Sequence, residues 1–393
     1  MLFAGAKLRV DWTLVAAGVV AAYASFLVAM FFGHFWLRDA AGHVLANDFI
    51  AVFAAGKLAV SGHAAAAYDW TTHRAVEIAA AGQNFHGYYG WHYPPPFLFV
   101  AAALSRLPHF ISLFFWIALT LPLYAVTASR IAGRREALVW ALAFPAVLLD
   151  IYVGQNGLFT AALFGAMLLT LNERPILSGI LIGLLTYKPQ FGILVPVALI
   201  AGGHWRALAS ATTTAIGLCA LSAVVFGWDT WLAFFSSVPH TTDAILAGGE
   251  AGWNKLQTVY GFARWSGMSD VAAWSLQIGA ALLMAAGVAW FWRSRAPFAL
   301  KAAALCTATL LATPYAYIYD FPILAVAMAF LYRHRAFDAR EAAILLPAAA
   351  LIAIFPWVSL PIGLAATLFV ASLVSRRGRK LIATHRDVAL QHA

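Results

Sequence analysis

Charge is what this 393-residue chain has least of: Asp, Glu, Lys and Arg make up 10% of it, against 63% hydrophobic residues. A water-soluble fold would not leave so few charges to cover its surface, so that class is excluded. Cysteine is nearly absent as well. Cys219 and Cys306 both sit in apolar stretches, too few and too deeply placed for a disulfide framework or a zinc site. There is no low-complexity linker, no clear internal repeat, and no compact basic-aromatic stripe of the kind that grips nucleic acid. The first apolar run is too long for a signal-peptide core and lacks a convincing small-residue cleavage site beyond it, so it is expected to remain as an anchor.

What the chain has instead is apolar length. Runs of about 15–25 residues recur from end to end, which is what crossing roughly 30 Å of hydrocarbon as helix requires. The pattern predicts an all-α, polytopic membrane bundle with spans at 12–36, 109–129, 136–152, 156–172, 175–187, 189–202, 206–226, 270–292, 301–315, 318–332, 340–355 and 357–375. Basic residues set the orientation, because they flank the side that is not translocated. With Lys7 and Arg9 inside, alternation places 18 of the 25 Lys and Arg residues on the cytoplasmic side, including the tail 376–393. Both termini are then cytoplasmic, and two long segments, 37–95 and 227–269, lie outside a plasma (inner) membrane. The net charge of +9 is spread over inner loops, where anionic lipid attracts it. The apolar stretch 94–107, interrupted at Arg106 and Pro108, is expected to lie in the outer leaflet or dip into it, since a full crossing would invert every later loop.

Every polar cluster suited to chemistry falls on the outer rim of this threading. In the first loop, Asn47 and Asp48 precede Phe49, Ile50, Val52, Phe53 and Leu58, an apolar stripe expected to form an interfacial helix. Asp48 is then either a helix N-cap or a carboxylate placed to deprotonate an acceptor hydroxyl. The loop closes on Trp91, His92, Tyr93 and three prolines, where aromatic residues are ordinary interfacial anchors and His92 is a titratable donor facing the same cavity as Asp48. Gln155 and Asn156, between Gly154 and Gly157, carry donors and acceptors suited to sugar hydroxyls, unless they merely cap a hairpin. Lys188 between apolar helices is either snorkelling or meeting an anion. The second loop, with a further interfacial helix at Trp228–Phe235, brings Asn254, Lys255, Gln257 and Arg264. The segment from Thr313 through Tyr315 and Tyr319 to Asp320 breaks a helix at the outer edge, with Asp320 a cap or a second cavity acid.

In order and spacing, these residues resemble glycosyltransferase family 87: the early loop Asp48, the aromatic-Tyr-Pro-Pro start at His92–Pro96, Gly154-Gln155, Lys188-Pro189, Thr313-Pro314-Tyr315 and Tyr319-Asp320. The resemblance implies a GT-C fold with an outward-facing site that inverts the anomeric carbon. It implies a polyprenyl-phosphate sugar donor, mannose in first place, and Asp48 as catalytic base. Lys188 is the first choice for the donor phosphate, with His92, Tyr93, Gln155, Asn156, Gln257, Arg264, Tyr315, Tyr319 and Asp320 around phosphate and sugar. One departure is visible: where the family often has Asn-Gln-Ser, this chain has Leu256-Gln257-Thr258. No Asp-x-Asp surrounds Asp48, so no metal or other cofactor is expected. The expected partners are membrane lipid, the donor, and an envelope glycolipid, glycan or protein as acceptor. The competing reading is a transporter or flippase, whose polar residues would line a pathway.

Overall fold

The computed structural model describes the backbone of residues 11–391 and side chains as far as Arg379, so Lys7 and Arg9 lie outside the described residues. Helix accounts for 76% of the chain and the described residues form no strand, only an isolated bridge between Arg38 and Val44; the class is all-α. Among the described residues, five helices are long and apolar enough to cross a membrane: Trp12–Phe32, His109–Ala132, Trp205–Phe226, Asp270–Arg293 and Ala339–Trp357. This is a membrane protein. The other apolar segments are helical too, but in shorter pieces.

Proline explains much of the shortening. The chain runs α1 (Trp12–Phe32), α2 (Phe49–Val60), α3 (Trp70–Ala81), α4 (Leu98–Leu104), α5 (His109–Ala132), α6 (Ala137–Leu142), α7 (Pro145–Val153), α8 (Gly157–Thr170), α9 (Pro175–Leu184) and α10 (Pro189–Gly192). It continues through α11 (Val195–Gly202), α12 (Trp205–Phe226), α13 (Trp228–Thr241), α14 (Val259–Trp265), α15 (Asp270–Arg293), α16 (Phe298–Ala312), α17 (Pro322–His334), α18 (Ala339–Ile354) and α19 (Ile362–Gln391). The segments read as spans at 136–152 and 189–202 each break in two, because Pro145 and Pro196 have no N–H to continue the ladder and sit comfortably only in a first turn. Such interruptions are tolerated at membrane depth where protein covers the freed backbone groups. Here α6 and α7 pack on α1, α5, α8 and α18, and α11 packs on α12 and α15.

Two expectations about the outer elements meet different outcomes. α13 carries Trp228, Leu232, Phe235 and Val238 outward along one face, the arrangement an interfacial helix needs. α2 does not lie open on a surface: Phe49 through Gly56 are all buried, by protein on every side. The cause is the segment 94–107. It forms a short 3-10 turn and the seven-residue α4, about 10 Å long and too short to cross. α4 presses on α2 so closely that a Cβ on Gly56 would overlap the Ala101 carbonyl. An apolar stripe read as lipid-facing is thus a protein-protein seam.

At the opposite end, α19 runs past residue 375 as one helix. Arg377, buried, grips Glu341 with Nε and Nη2 at 2.9 and 2.7 Å, and Arg335 adds a third contact at 2.7 Å. A two-pronged guanidinium–carboxylate fit of this kind ties α19 to the start of α18.

Candidate active site

Asp48 occupies the N-cap position of α2 but makes no capping bond. Asn47 has that part, its Oδ1 accepting from the Phe49 N–H at 3.2 Å. The Asp48 carboxylate turns instead to Gln155, whose Nε2 donates to Oδ2 at 3.0 Å. Burial raises Asp48 from the ordinary carboxylate range to about 6, with the Gln155 hydrogen bond and the positive fields of Lys255 and Lys188 pulling the other way.

The α7–α8 hairpin delivers Gln155 to that spot. α7 ends at Gly154 with φ +73°, a left-handed cap that glycine adopts without strain. Gly154 also lies against α2, where a Cβ would come within 2.8 Å of the Phe49 Cβ. Asp150, fully buried, reaches across the turn and accepts from the N–H groups of Gly157 and Leu158 at 2.9 and 3.4 Å, so the α8 N-terminus is capped from the preceding helix. Gln155 is held on all sides: its Oε1 accepts from Tyr93 Oη at 3.1 Å, and Trp116 Nε1 donates to its backbone carbonyl at 3.0 Å. Asn156 beside it is 2% exposed, and neither side-chain amide atom has a protein partner.

Lys188 and Asp320 close the other side. The two are 3% and 1% exposed, and Lys188 Nζ meets Asp320 Oδ1 at 2.5 Å. Asp320 Oδ2 accepts from the Tyr317 N–H at 3.0 Å, so this carboxylate is both a cap and an ion-pair partner. Lys188 is neither snorkelling nor free: it is compensated inside the protein. Its ammonium also sits 5.4 Å from the centre of the Tyr319 ring and 5.5 Å from that of Phe191. Tyr319 stacks on Tyr317 at 5.4 Å, and Tyr315 meets Tyr317 edge-on at 5.2 Å. Tyr187, which the sequence did not single out, stacks on Phe97 at 4.6 Å and shares a 2.5 Å hydrogen bond with Thr160. α8 locks the two halves together, since a Cβ on Gly157 would overlap the Tyr319 carbonyl oxygen.

Three of the singled-out residues stand apart from this cluster. Gln257 is buried and its amide is fully engaged with backbone: Oε1 accepts from Gly363 N–H at 2.7 Å, and Nε2 donates to the carbonyls of Asn254 and Lys255. Arg264 stacks on Trp253 at 4.3 Å and donates to the carbonyls of Met268 and Ala247, which holds the segment 247–268 in shape. His92 faces a cavity of about 650 Å³ between residues 67–92 and 237–250, and neither Asp48 nor Gln155, Lys188 or Asp320 belongs to its walls. The expectation that His92 and Asp48 share one cavity is therefore corrected. Tyr88 lines that cavity, stacked on His92 at 5.6 Å, and packs against the hydrophobic cluster that contains Tyr317. Among the described residues, no group of His, Cys, Asp and Glu is arranged to hold a metal ion.

A helical membrane protein with Asp48, a buried Lys188–Asp320 pair and a tyrosine wall defines a class, and the comparison of sequences narrows it. The model of glycosyltransferase family 87 matches residues 91–314, more than half of the chain. The chain belongs to glycosyltransferase family 87. The matched region carries Tyr93, Gln155, Asn156 and Lys188, while Asp48 and Asp320 lie on either side of it. No curated protein and no solved structure matches the chain. Family membership sets aside the transporter reading in favour of a glycosyltransferase.

Proposed function

We propose that this glycosyltransferase moves a hexose, mannose in first place, from a polyprenyl-phosphate sugar to an envelope acceptor on the outer face of the inner membrane, inverting the anomeric carbon. The observation that carries the reading is Asp48. It is a carboxylate relieved of capping by its neighbour, fixed by Gln155 at 3.0 Å, and raised to about 6. A base works best when its pKa lies near the operating pH, because it is then both ionised and able to hold a proton.

In the proposed step Asp48 takes the proton of the acceptor hydroxyl as that oxygen attacks the anomeric carbon. The bond from that carbon to the phosphate oxygen breaks, and the polyprenyl phosphate leaves with the bonding electrons. The sugar passes through an oxocarbenium-like state, which a nearby carboxylate stabilises. Lys188 gives one of its three N–H donors to Asp320, leaving two for a phosphate oxygen. Lys255, exposed and close enough for its field to be felt at Asp48, is the second candidate for that phosphate. Asn156 and the Tyr315–Tyr319 wall are assigned to the sugar, on a GT-C-like bundle of about twelve crossings, the shorter helices pairing into spans.

The test is to incubate purified protein with a panel of polyprenyl-phosphate sugars and follow transfer or slow hydrolysis. Release of polyprenyl phosphate from one of them supports the reading, and inertness toward all of them while nucleotide sugars are consumed overturns it. Cysteines placed at Thr72 and Gly249 should react with an impermeant reagent in intact cells, and one at Ser375 should not; the opposite pattern contradicts the outward-facing site.

A further inference from the structure

The cavity of about 650 Å³ is not used by the chemistry at Asp48. Its volume falls within the range of about 300–1,000 Å³ typical of small-molecule pockets. Three observations bear on what it takes. Its walls contain Asp69, Asp243 and Glu250 and three histidines, His73, His92 and His240, but no Lys or Arg, so no permanent cation faces an anion there. His92 does not offset this, because burial lowers it to about 3 and it is neutral at pH 7. Its mouth carries aromatic faces: Trp70 remains 39% exposed and leans on Tyr88 with ring centres 4.4 Å apart. Finally, His73 lines the cavity at 1% exposure with neither ring nitrogen hydrogen-bonded. Its Nε2 is 3.3 Å from Glu77 Oε1, an ion-pair distance, while Nδ1 has no polar partner. A buried polar group left without a partner is destabilising, and a hydroxyl-bearing ligand would supply that partner.

We propose that this cavity is the acceptor subsite, binding an uncharged saccharide through Trp70, His73, His92 and Asp243, and excluding the phosphate-bearing donor. The proposal rests on the glycosyltransferase reading above. Carboxylates and imidazoles pair with sugar hydroxyls, and an exposed indole offers a flat apolar face to the C–H side of a pyranose. Tyr88 links the subsite to the reaction. It lines the cavity and packs against the cluster that contains Tyr317, and Tyr317 lies near enough to both Tyr88 and Asp48 for each to raise its pKa, so an acceptor chain passing Tyr88 enters the region of Asp48.

The experiment measures equilibrium binding of neutral trisaccharides (mannotriose, cellotriose and maltotriose) to the full-length protein without donor, by calorimetry and saturation-transfer NMR. Mannose and mannose 6-phosphate serve as a matched pair for charge. The proposal expects at least one neutral trisaccharide to bind and mannose 6-phosphate to bind more weakly than mannose. It expects Trp70→Ala to lose about tenfold in affinity, the scale of one aromatic contact. Asp243→Asn should relax the rejection of mannose 6-phosphate, and Asp48→Asn should bind as wild type. In turnover, Trp70→Ala should raise the acceptor KM and leave kcat and donor hydrolysis unchanged, which a general loss of structure would not do. Absence of trisaccharide binding, equal affinity in Trp70→Ala, or preference for the phosphorylated sugar overturns the proposal. Normal turnover in Asp48→Asn with binding lost in Trp70→Ala would remove the base assignment and leave this subsite standing.

Discussion

Lys188 and Asp320 should behave as one unit in stability and as two groups in function. Lys188→Met removes the cation and leaves Asp320, 1% exposed, as a buried uncompensated carboxylate. Breaking a buried pair from one side costs about 3–5 kcal/mol, whereas replacing both charges is often neutral. Asp320→Asn keeps an oxygen for the Tyr317 N–H, now at 3.0 Å from Oδ2, and so removes charge with little loss of the local turn. Each single variant should therefore lower thermal stability in detergent by several degrees. The double variant Lys188→Met/Asp320→Asn should recover most of the loss, giving an interaction energy of about 3 kcal/mol. Donor binding separates the second role: the recovered double variant should still bind polyprenyl-phosphate sugar more weakly than wild type, because the N–H donors for phosphate are gone. Single variants as stable as wild type, or a double variant as unstable as the sum of the singles, would refute the pairing argument. A stable double variant with wild-type donor affinity would pass the phosphate contact to Lys255.

Two further outcomes follow from the geometry. With Asp48 raised to about 6, its ionised fraction, and hence turnover, should rise roughly tenfold per pH unit below that value and level off above it; a flat rate from pH 4.5 to 7 would contradict the assignment. Gly157→Ala should be strongly destabilising, by about 1–3 kcal/mol or more, because its Cβ meets the Tyr319 carbonyl and neither α8 nor the turn carrying Asp320 can yield alone. Thermal unfolding of Gly157→Ala close to wild type would show that this junction is looser than described.

The helical segments were legible in the sequence because apolar run length is a local property. Their fragmentation was half legible: Pro145 and Pro196 are visible, but whether a proline kinks or breaks a helix depends on what covers the freed carbonyls. That Asp48, Gln155, Lys188 and Asp320 lie near one another was an expectation of the threading, and the structure brings them within reach of each other's fields. Their partners were not legible, since Gln155 lies 107 residues from Asp48 and Asp320 lies 132 from Lys188. α2 was misplaced for a related reason: a stripe of Phe, Ile and Ala looks the same whether lipid or α4 covers it. Gln257 and Arg264 have the composition of ligand-binding residues, yet nearby backbone carbonyls and the Gly363 N–H claim their polar groups. His73 gave no signal at all; a lone histidine early in a short helix acquires meaning only when a cavity opens beside it.

The base assignment is tested most directly by Asp48→Asn, with turnover and stability measured on the same preparation. Asn keeps the size and an acceptor oxygen for Gln155, but cannot take the acceptor's proton, so the rate should fall by roughly 10²–10⁴-fold. Stability should move the other way. A carboxyl whose pKa rises on folding adds stability at pH below its unfolded value near 4, and that contribution disappears as pH climbs through about 6. At pH 7 the neutral Asn variant should accordingly be as stable as wild type or more so, by up to about 1–3 kcal/mol. A well-folded, inactive and slightly more stable Asp48→Asn protein is the predicted result. A well-folded Asp48→Asn protein with near-normal turnover would contradict the account.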